Sequence, residues 1–290
     1  MAHASGWWCC VVVVGAAGRV SAAQPEEPPT SEPAVMEQTD SPLEEKTIGE
    51  WTLQFEPAIW APGLAGDVRL PGGTASLDTG DFDFDDPQIT PFGEIHFRQN
   101  RLTISASGFG FSLDETGVSG TPSAVDGLVI PAGTATGMKF DLYSAQATGA
   151  WRIVDYTLSP DDAPDSVRFA FDVYGGIRGY DLNTRFTVGG AGAQESDGWV
   201  EPIIGARFTM DIIDQFTLDL ALDGGWMPFG DHESSSFDIT VGIQWRPVEH
   251  FGAQFGWRQI VLDLSDGDGA DEFSFDGSLA GIYGSIVIRF

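Results

Sequence analysis

The sequence predicts an all-β fold: a transmembrane, antiparallel, up-and-down β-barrel of about ten strands, with eight or twelve as the neighbouring counts. Three observations lead there. From Trp51 onward, apolar and polar residues alternate in runs of 11–13 residues. Aromatic residues sit at the ends of those runs, with Trp51, Trp151, Trp245 and Phe251 at one rim and Trp226 at the other. The chain ends on Phe290, with Ile282, Gly284, Ile286 and Ile288 on the same face.

Successive strand side chains point to opposite faces, so strict alternation gives one apolar and one polar face. In 167–179 the odd face is Val167, Phe169, Phe171, Val173 and Ile177, and the even face carries Arg168, Asp172 and Arg178. In 215–226 Phe216, Leu218, Leu220 and Leu222 oppose Thr217, Asp219 and Asp223. In 236–246 Phe237, Ile239, Val241, Ile243 and Trp245 oppose Asp238, Gln244 and Arg246. Soluble strands average 5–6 residues; tilted membrane strands need about 9–11. The aromatic ends match interfacial girdles.

Read in order, the strands are 51–61, 88–98, 101–113, 134–152, 167–182, 199–212, 215–227, 236–246, 250–264 and 271–290. Ten is an even number, as in single-chain bacterial barrels. Turns 99–100, 213–214 and 247–249 are tight, and 153–166 is longer. The opposite connections, 62–87, 114–133 and 183–198, read as long loops, with 228–235 and 265–270 shorter. Gly72-Gly73 inside 62–87 leaves room for an extra hairpin and twelve strands.

Ahead of the barrel, Trp7 to Ala17 is an apolar run suited to a signal peptide and too short for a transmembrane helix. Small residues Ser21-Ala22-Ala23 then place cleavage near 23 and remove Cys9 and Cys10. Residues 24–50 hold five prolines and eight acids against one lysine. Such a segment buries too little apolar surface to order itself, so 24–50 reads as a disordered periplasmic tail. The C-terminus is expected on the same periplasmic side. A terminal Phe on an alternating strand resembles the assembly signal read by the barrel-assembly machinery.

The start of the barrel carries a more specific pattern. Trp51, Pro57, Trp60-Ala61-Pro62-Gly63-Leu64 and Gly66 resemble the opening of a family of bacterial outer-membrane β-barrel (porin-like) proteins. Gly205-Ala206-Arg207-Phe208, Gly224-Gly225 and Gly256-Trp257-Arg258 fit the same resemblance. It implies an outer-membrane barrel and no established activity.

With the apolar face toward outer-membrane lipid, the lumen receives Glu56, Glu94, Asp172, Glu201, Asp211, Asp219, Asp223 and Asp238. It also receives Arg98, Arg152, Arg168, Arg178, Arg207, Arg246, Arg258 and Arg289, with His96 between Glu94 and Arg98. Intramembrane charges face cavities and pair with one another, and arginine suits multidentate pairing with carboxylates. Ten strands leave a lumen little wider than side chains fill. The expectation is an interior mostly plugged by an arginine–carboxylate network.

The charge balance excludes some functions. There are 14 Lys and Arg against 43 Asp and Glu, a net charge of -29. Such a chain repels phosphate backbones, so nucleic acid is not an expected partner. The lumen set is balanced, so the acidity belongs to tail, loops and turns. Calcium is a candidate partner at Asp266, Asp268 and Asp271, and at the cluster 81–86, although neither has full EF-hand spacing. Asp231-His232-Glu233-Ser234 is where His, acid and Ser cluster, but a catalytic triad needs its members oriented from separate places. No enzymatic activity, cofactor or zinc site is therefore expected. The functional expectation is a monomeric barrel, structural or a narrow channel for small solutes. A surface-exposed binding or adhesion barrel acting through its long acidic loops is the alternative.

Overall fold

The computed structural model describes residues 51–290, apart from 73–75, 83, 85, 121, 126–127, 159–166, 214, 231 and 270. The signal-peptide segment 1–23 and the tail 24–50 lie outside the described residues. So do parts of the 81–86 acidic cluster and the Asp231 of the 231–234 motif.

The elements run β1 (Trp51–Arg69), β2 (Leu77–Asp78), a 3-10 turn (Thr79–Phe82), β3 (Thr90–Gln99), β4 (Leu102–Val118), β5 (Ser123–Val125) and β6 (Leu128–Ile130). Then follow β7 (Ala135–Leu158), β8 (Val167–Val188), β9 (Ala191–Ile213), β10 (Phe216–Phe229), β11 (His232–Val248), β12 (Phe251–Asp266) and β13 (Phe273–Arg289). β1, β3, β4 and β7 to β13 pair antiparallel in chain order, and β13 returns to pair with β1. The result is a closed up-and-down barrel of ten strands. Closure joins the first strand of the ring to the last, so the belt of the barrel has no terminal edge strand.

The ladder runs from Gln54 through His96, Ser105, Thr148, Gly176, Ile203, Gly225, Ser236, Leu262 and Gly277. It returns to β1 at Gly66, twelve residues further on. A stagger of that size goes with strands tilted roughly 35–45° from the barrel axis.

Each expected strand is present, and most are longer than alternation alone showed. The largest correction concerns 183–198, expected as a long loop. β8 and β9 continue through it and meet at Gly189-Gly190, whose φ angles are 57 and 89°. A two-residue hairpin turn with both φ angles positive is strongly favoured by glycine. The extra hairpin allowed within 62–87 is present in short form, with β2 paired to β1 at Asp67–Asp78 and Val68–Leu77, while the ring itself closes with ten strands.

The barrel changes character along its axis. In the half nearer the tight turns, the outer face is apolar: Ile59, Ile104, Ile177, Ile204, Ile243, Phe255 and Ile282 are exposed. Trp51, Trp151, Trp245, Phe251 and Phe290 ring the turn-side rim, and Trp226 marks the other limit of the belt. Inside this belt the lumen is polar. In the loop-side half both faces invert. Asp67, Asp181, Arg185, Asp263 and Asp276 face out, exposed. Phe111, Phe140, Leu142, Leu182, Phe186, Leu262 and Phe275 point in, fully buried. The lower half has the logic of a membrane barrel and the upper half that of a soluble one. Among the described residues no helix is long and apolar enough to cross a membrane.

Two notches interrupt the loop-side wall. β3 ends its pairing at Trp60–Thr90 and Phe92–Phe109, while β1 and β4 continue to Arg69 and Val118. The described residues of 77–88 fold back into that gap. The Gly66 N–H donates to Thr79 Oγ1, and the Leu64 N–H to the Phe84 carbonyl (both 2.9 Å). This seats Leu77, Phe82 and Phe84 in the core. The second notch lies above the short β10–β11 hairpin, where β9 continues past Ile203 without β10 beside it.

Candidate functional site

The lumen holds three layers. Nearest the turns, Arg152 donates to both oxygens of Asp172 (2.8 and 3.2 Å), and Arg98 lies 3.7 Å from the same carboxylate. Asp155, from the stretch expected as a turn, joins them through Arg152 (3.3 Å) and Arg168 (2.5 Å). Arg168 thus sits half-exposed at the rim, not deep in the lumen. On β3, two strands along from β7, His96 Nε2 lies 3.1 Å from Glu94 and 3.5 Å from Glu56, and its Nδ1 lies 2.8 Å from Ser105 Oγ. Arg207 pairs with Asp219 (3.6 Å), Arg246 with Asp211 (3.6 Å), and Arg289 donates to Gln54 (2.6 Å).

The middle layer is tighter. Arg178, 1% exposed, donates to Asp223 (2.5 Å), Gln146 (2.8 Å), Ser236 (3.1 Å) and Tyr180 (3.3 Å). Ser236 also donates to Glu201, which is wholly buried. Tyr174 donates to Asp223 at 3.0 Å. Arg258 donates to Asp238 (2.6 Å) and lays its guanidinium against Trp60, Phe92 and Phe109, 4.8–5.6 Å from their ring centroids. A carboxylate below and aromatic faces above suit a buried guanidinium. Gly225 makes room for this layer, because a Cβ there would overlap the Glu201 carboxylate.

Above it lies the apolar layer. Phe140 on β7 meets Phe275 on β13 at 5.2 Å, although three barrel strands separate them around the wall. Such contacts run across the lumen and close it. A polar recess remains among Glu94, Arg98, Gln146, Asp172, Tyr174 and Arg207. Its volume is about 40 Å³, room for no more than a few waters.

At the loop-side rim the second notch is closed by side chains. His232 stacks on Trp199 (5.4 Å, 8° between planes), and the Trp199 indole N–H donates to the Ser265 carbonyl (3.0 Å). His232 Nδ1 lies 2.8 Å from Asp266 and 3.7 Å from Asp197. Burial opposes charge on His232, but the Asp266 hydrogen bond and the Asp197 charge raise its pKa above the ordinary histidine value. Burial likewise pushes the Asp197 carboxyl up, and nearby Asp266 adds to it. Ser234, two residues along β11, points into the core with 3% exposure and is not the partner of either ring nitrogen.

The calcium candidates separate. Asp266 turns to His232, while Asp268 and Asp271 stay in the loop, joined by a backbone hydrogen bond of 3.2 Å. Arg69 reaches into that loop, donating to the Gly269 carbonyl (3.0 Å) and Glu272 (2.9 Å). His250 lies at a tight turn, its Nδ1 3.1 Å from the Arg289 carbonyl. Sequence reasoning missed Asp155, Gln146, Tyr174 and Ser236 as network members, and Asp197 as a partner of His232. Their even or odd position marked the face, but nothing marked the partner.

No protein-family model matches the chain, and no curated protein matches it significantly. Several solved outer-membrane barrels are similar in fold. The outer-membrane protease OmpT from Escherichia coli aligns over 82% of this chain and 97% of its own, with 8% identity and a TM-score of 0.48. The transport unit of the Escherichia coli autotransporter AIDA-I aligns over 86% and 92%, with 10% identity and a TM-score of 0.37. Neisserial surface protein A aligns over 83% and 97%, with 13% identity and a TM-score of 0.31.

Proposed function

We propose that the protein is a monomeric outer-membrane barrel with a sealed lumen, a structural or surface-binding element and not a solute channel. One observation carries this reading: side chains close the lumen at two successive levels. The middle layer is a buried ion network around Arg178, and the upper layer an apolar core around Phe140. A channel needs a continuous polar path, which the upper layer interrupts. What faces outward above the belt is a collar of polar and acidic strand ends. That collar is the surface available for binding.

The connections support one orientation, because the long ones, between β1 and β3 and between β4 and β7, lie at the same end of the barrel. Short turns face the periplasm in outer-membrane barrels. Trp51 and Phe290 share the tight-turn rim, where Leu53 and Phe290 exchange backbone hydrogen bonds (2.8 and 3.2 Å). This supports a periplasmic tail and C-terminus, with Phe290 offered to the assembly machinery. The test is single-channel recording of the folded, purified protein in planar bilayers. Silence at all holding potentials is expected; steady conductance scaling with protein added would overturn the reading.

A further inference from the structure

We propose that Asp197, His232 and Asp266 form a binding site for a divalent transition-metal ion of the zinc class, seated in the second notch of the loop-side wall. The three residues come from β9, β11 and the end of β12. One ligand atom of each lies within 4.8 Å of the others. An ion held about 2.1 Å from nitrogen and oxygen ligands sets them roughly 3.0–3.5 Å apart. The two distances from His232 Nδ1, 2.8 and 3.7 Å, straddle that range. The two pairs from His232 therefore need shifts of only a few tenths of an ångström, while the Asp197 and Asp266 carboxylates, within 4.8 Å of each other, close on the ion by side-chain rotation.

The remaining atoms of two ligands are already held, and by one residue. His232 Nε2 lies 3.1 Å from the Gly198 carbonyl. With Nε2–H donating there, the Nδ1 proton shared with Asp266 is the one an incoming ion would displace, which frees the Nδ1 lone pair for the metal. The Gly198 N–H donates to Asp197 Oδ1 at 2.7 Å, which leaves Oδ2 turned toward His232. The Trp199 ring, nearly parallel to the imidazole, fixes its plane. Metal-bound histidines generally carry such an outer hydrogen bond, which selects the tautomer and orients the ring.

The donor set decides the ion. One imidazole nitrogen with two carboxylates suits zinc or its first-row neighbours, whereas calcium requires six to eight oxygens. Three protein ligands leave a fourth position open to solvent. The ion would tie β9 to β11 and β12 across a gap that the backbone ladder does not close. The acidic collar raises the local cation concentration.

Isothermal titration of the untagged, refolded mature chain, residues 24–290, in detergent with zinc chloride tests the site, with calcium chloride as the comparison. One zinc per chain is expected, with calcium failing to compete at equal concentration. His232→Ala and Asp266→Asn should each weaken binding at least tenfold, while His250→Ala leaves it unchanged. Heat-modified gel mobility of each variant confirms an intact barrel. No heat of binding at millimolar zinc would overturn the proposal. So would unchanged affinity in both folded variants, or preference for calcium.

Discussion

Two stretches of β8 show opposite solutions to the same problem. Below Tyr180 the strand sends Phe169, Phe171 and Ile177 outward and Arg168, Asp172 and Arg178 inward. Above it Asp181 and Arg185 face out while Leu182 and Phe186 face in, fully buried. The backbone continues without a break; only the solvent outside has changed. Lipid on one side demands apolar side chains there and leaves the lumen polar. Water on that side reverses the demand, and the hydrophobic effect then builds a core within. The arginine–carboxylate layer sits below the inversion. Arg258, between Asp238 and three aromatic rings, is where the two regimes meet.

The largest effect is expected in the ion layer. Arg178→Met should destabilise the barrel by about 3–5 kcal/mol, because Asp223 loses its buried partner. Urea-dependent folding into lipid vesicles would measure it. A smaller cost for Arg178→Met paired with Asp223→Leu than for either alone would show that the layer acts as a unit.

Truncations should separate the two halves next. Phe140→Ala removes packing from a closed core and should cost about 3–5 kcal/mol. Ile243→Ala faces lipid, which refills the space, so roughly the transfer term of 1–2 kcal/mol is expected. Equal costs in the same folding assay would deny the loop-side half its soluble-type core.

Charge placement is a sharper probe of similar size. Val241→Arg lies within the apolar belt and should cost about 2–4 kcal/mol, whereas Ser274→Arg, outward on the upper wall, should be near neutral.

The smallest effect concerns the acidic collar. Asp67 stands directly opposite both Asp78 and Asp276, and Asp276 opposite Asp263. Partial desolvation at the wall first, then the neighbouring Asp78 and Asp276 charges, raise the Asp67 pKa above the ordinary value. A raised carboxyl pKa favours the folded state at acid pH, and that advantage is lost as pH rises through the folded value. Asp276→Asn should therefore stabilise by about 0.5 kcal/mol at pH 7, less in high salt. The gain should fade toward pH 4. A constant gain across that range would place its origin elsewhere.

The sequence shows the ten strands clearly where lipid and lumen impose opposite polarities on the two faces. It shows the upper wall poorly for the same physical reason. Across the inversion the even face of β8 passes from Arg178 to Tyr180 and Leu182, so the alternation loses its phase. The segment 183–198 then reads as a polar loop although it is strand. The inward-facing charges were legible from parity alone. Their partners were not, because Arg178 on β8 reaches past β9 to Asp223 on β10 and Ser236 on β11, and that depends on stagger. The apolar plug needed knowledge that residues 77–88 fold inward, which Phe82 and Phe84 in an acidic stretch did not announce.

Site-directed spin labelling along β8 tests the inversion most directly. Residues 51–290 contain no cysteine, so Phe171→Cys, Ile177→Cys, Asp181→Cys and Arg185→Cys can each be labelled singly. In lipid vesicles, labels at 171 and 177 should be relaxed by oxygen, and those at 181 and 185 by a water-soluble nickel complex. Oxygen dominance persisting through 185, or nickel access at 177, would contradict the account.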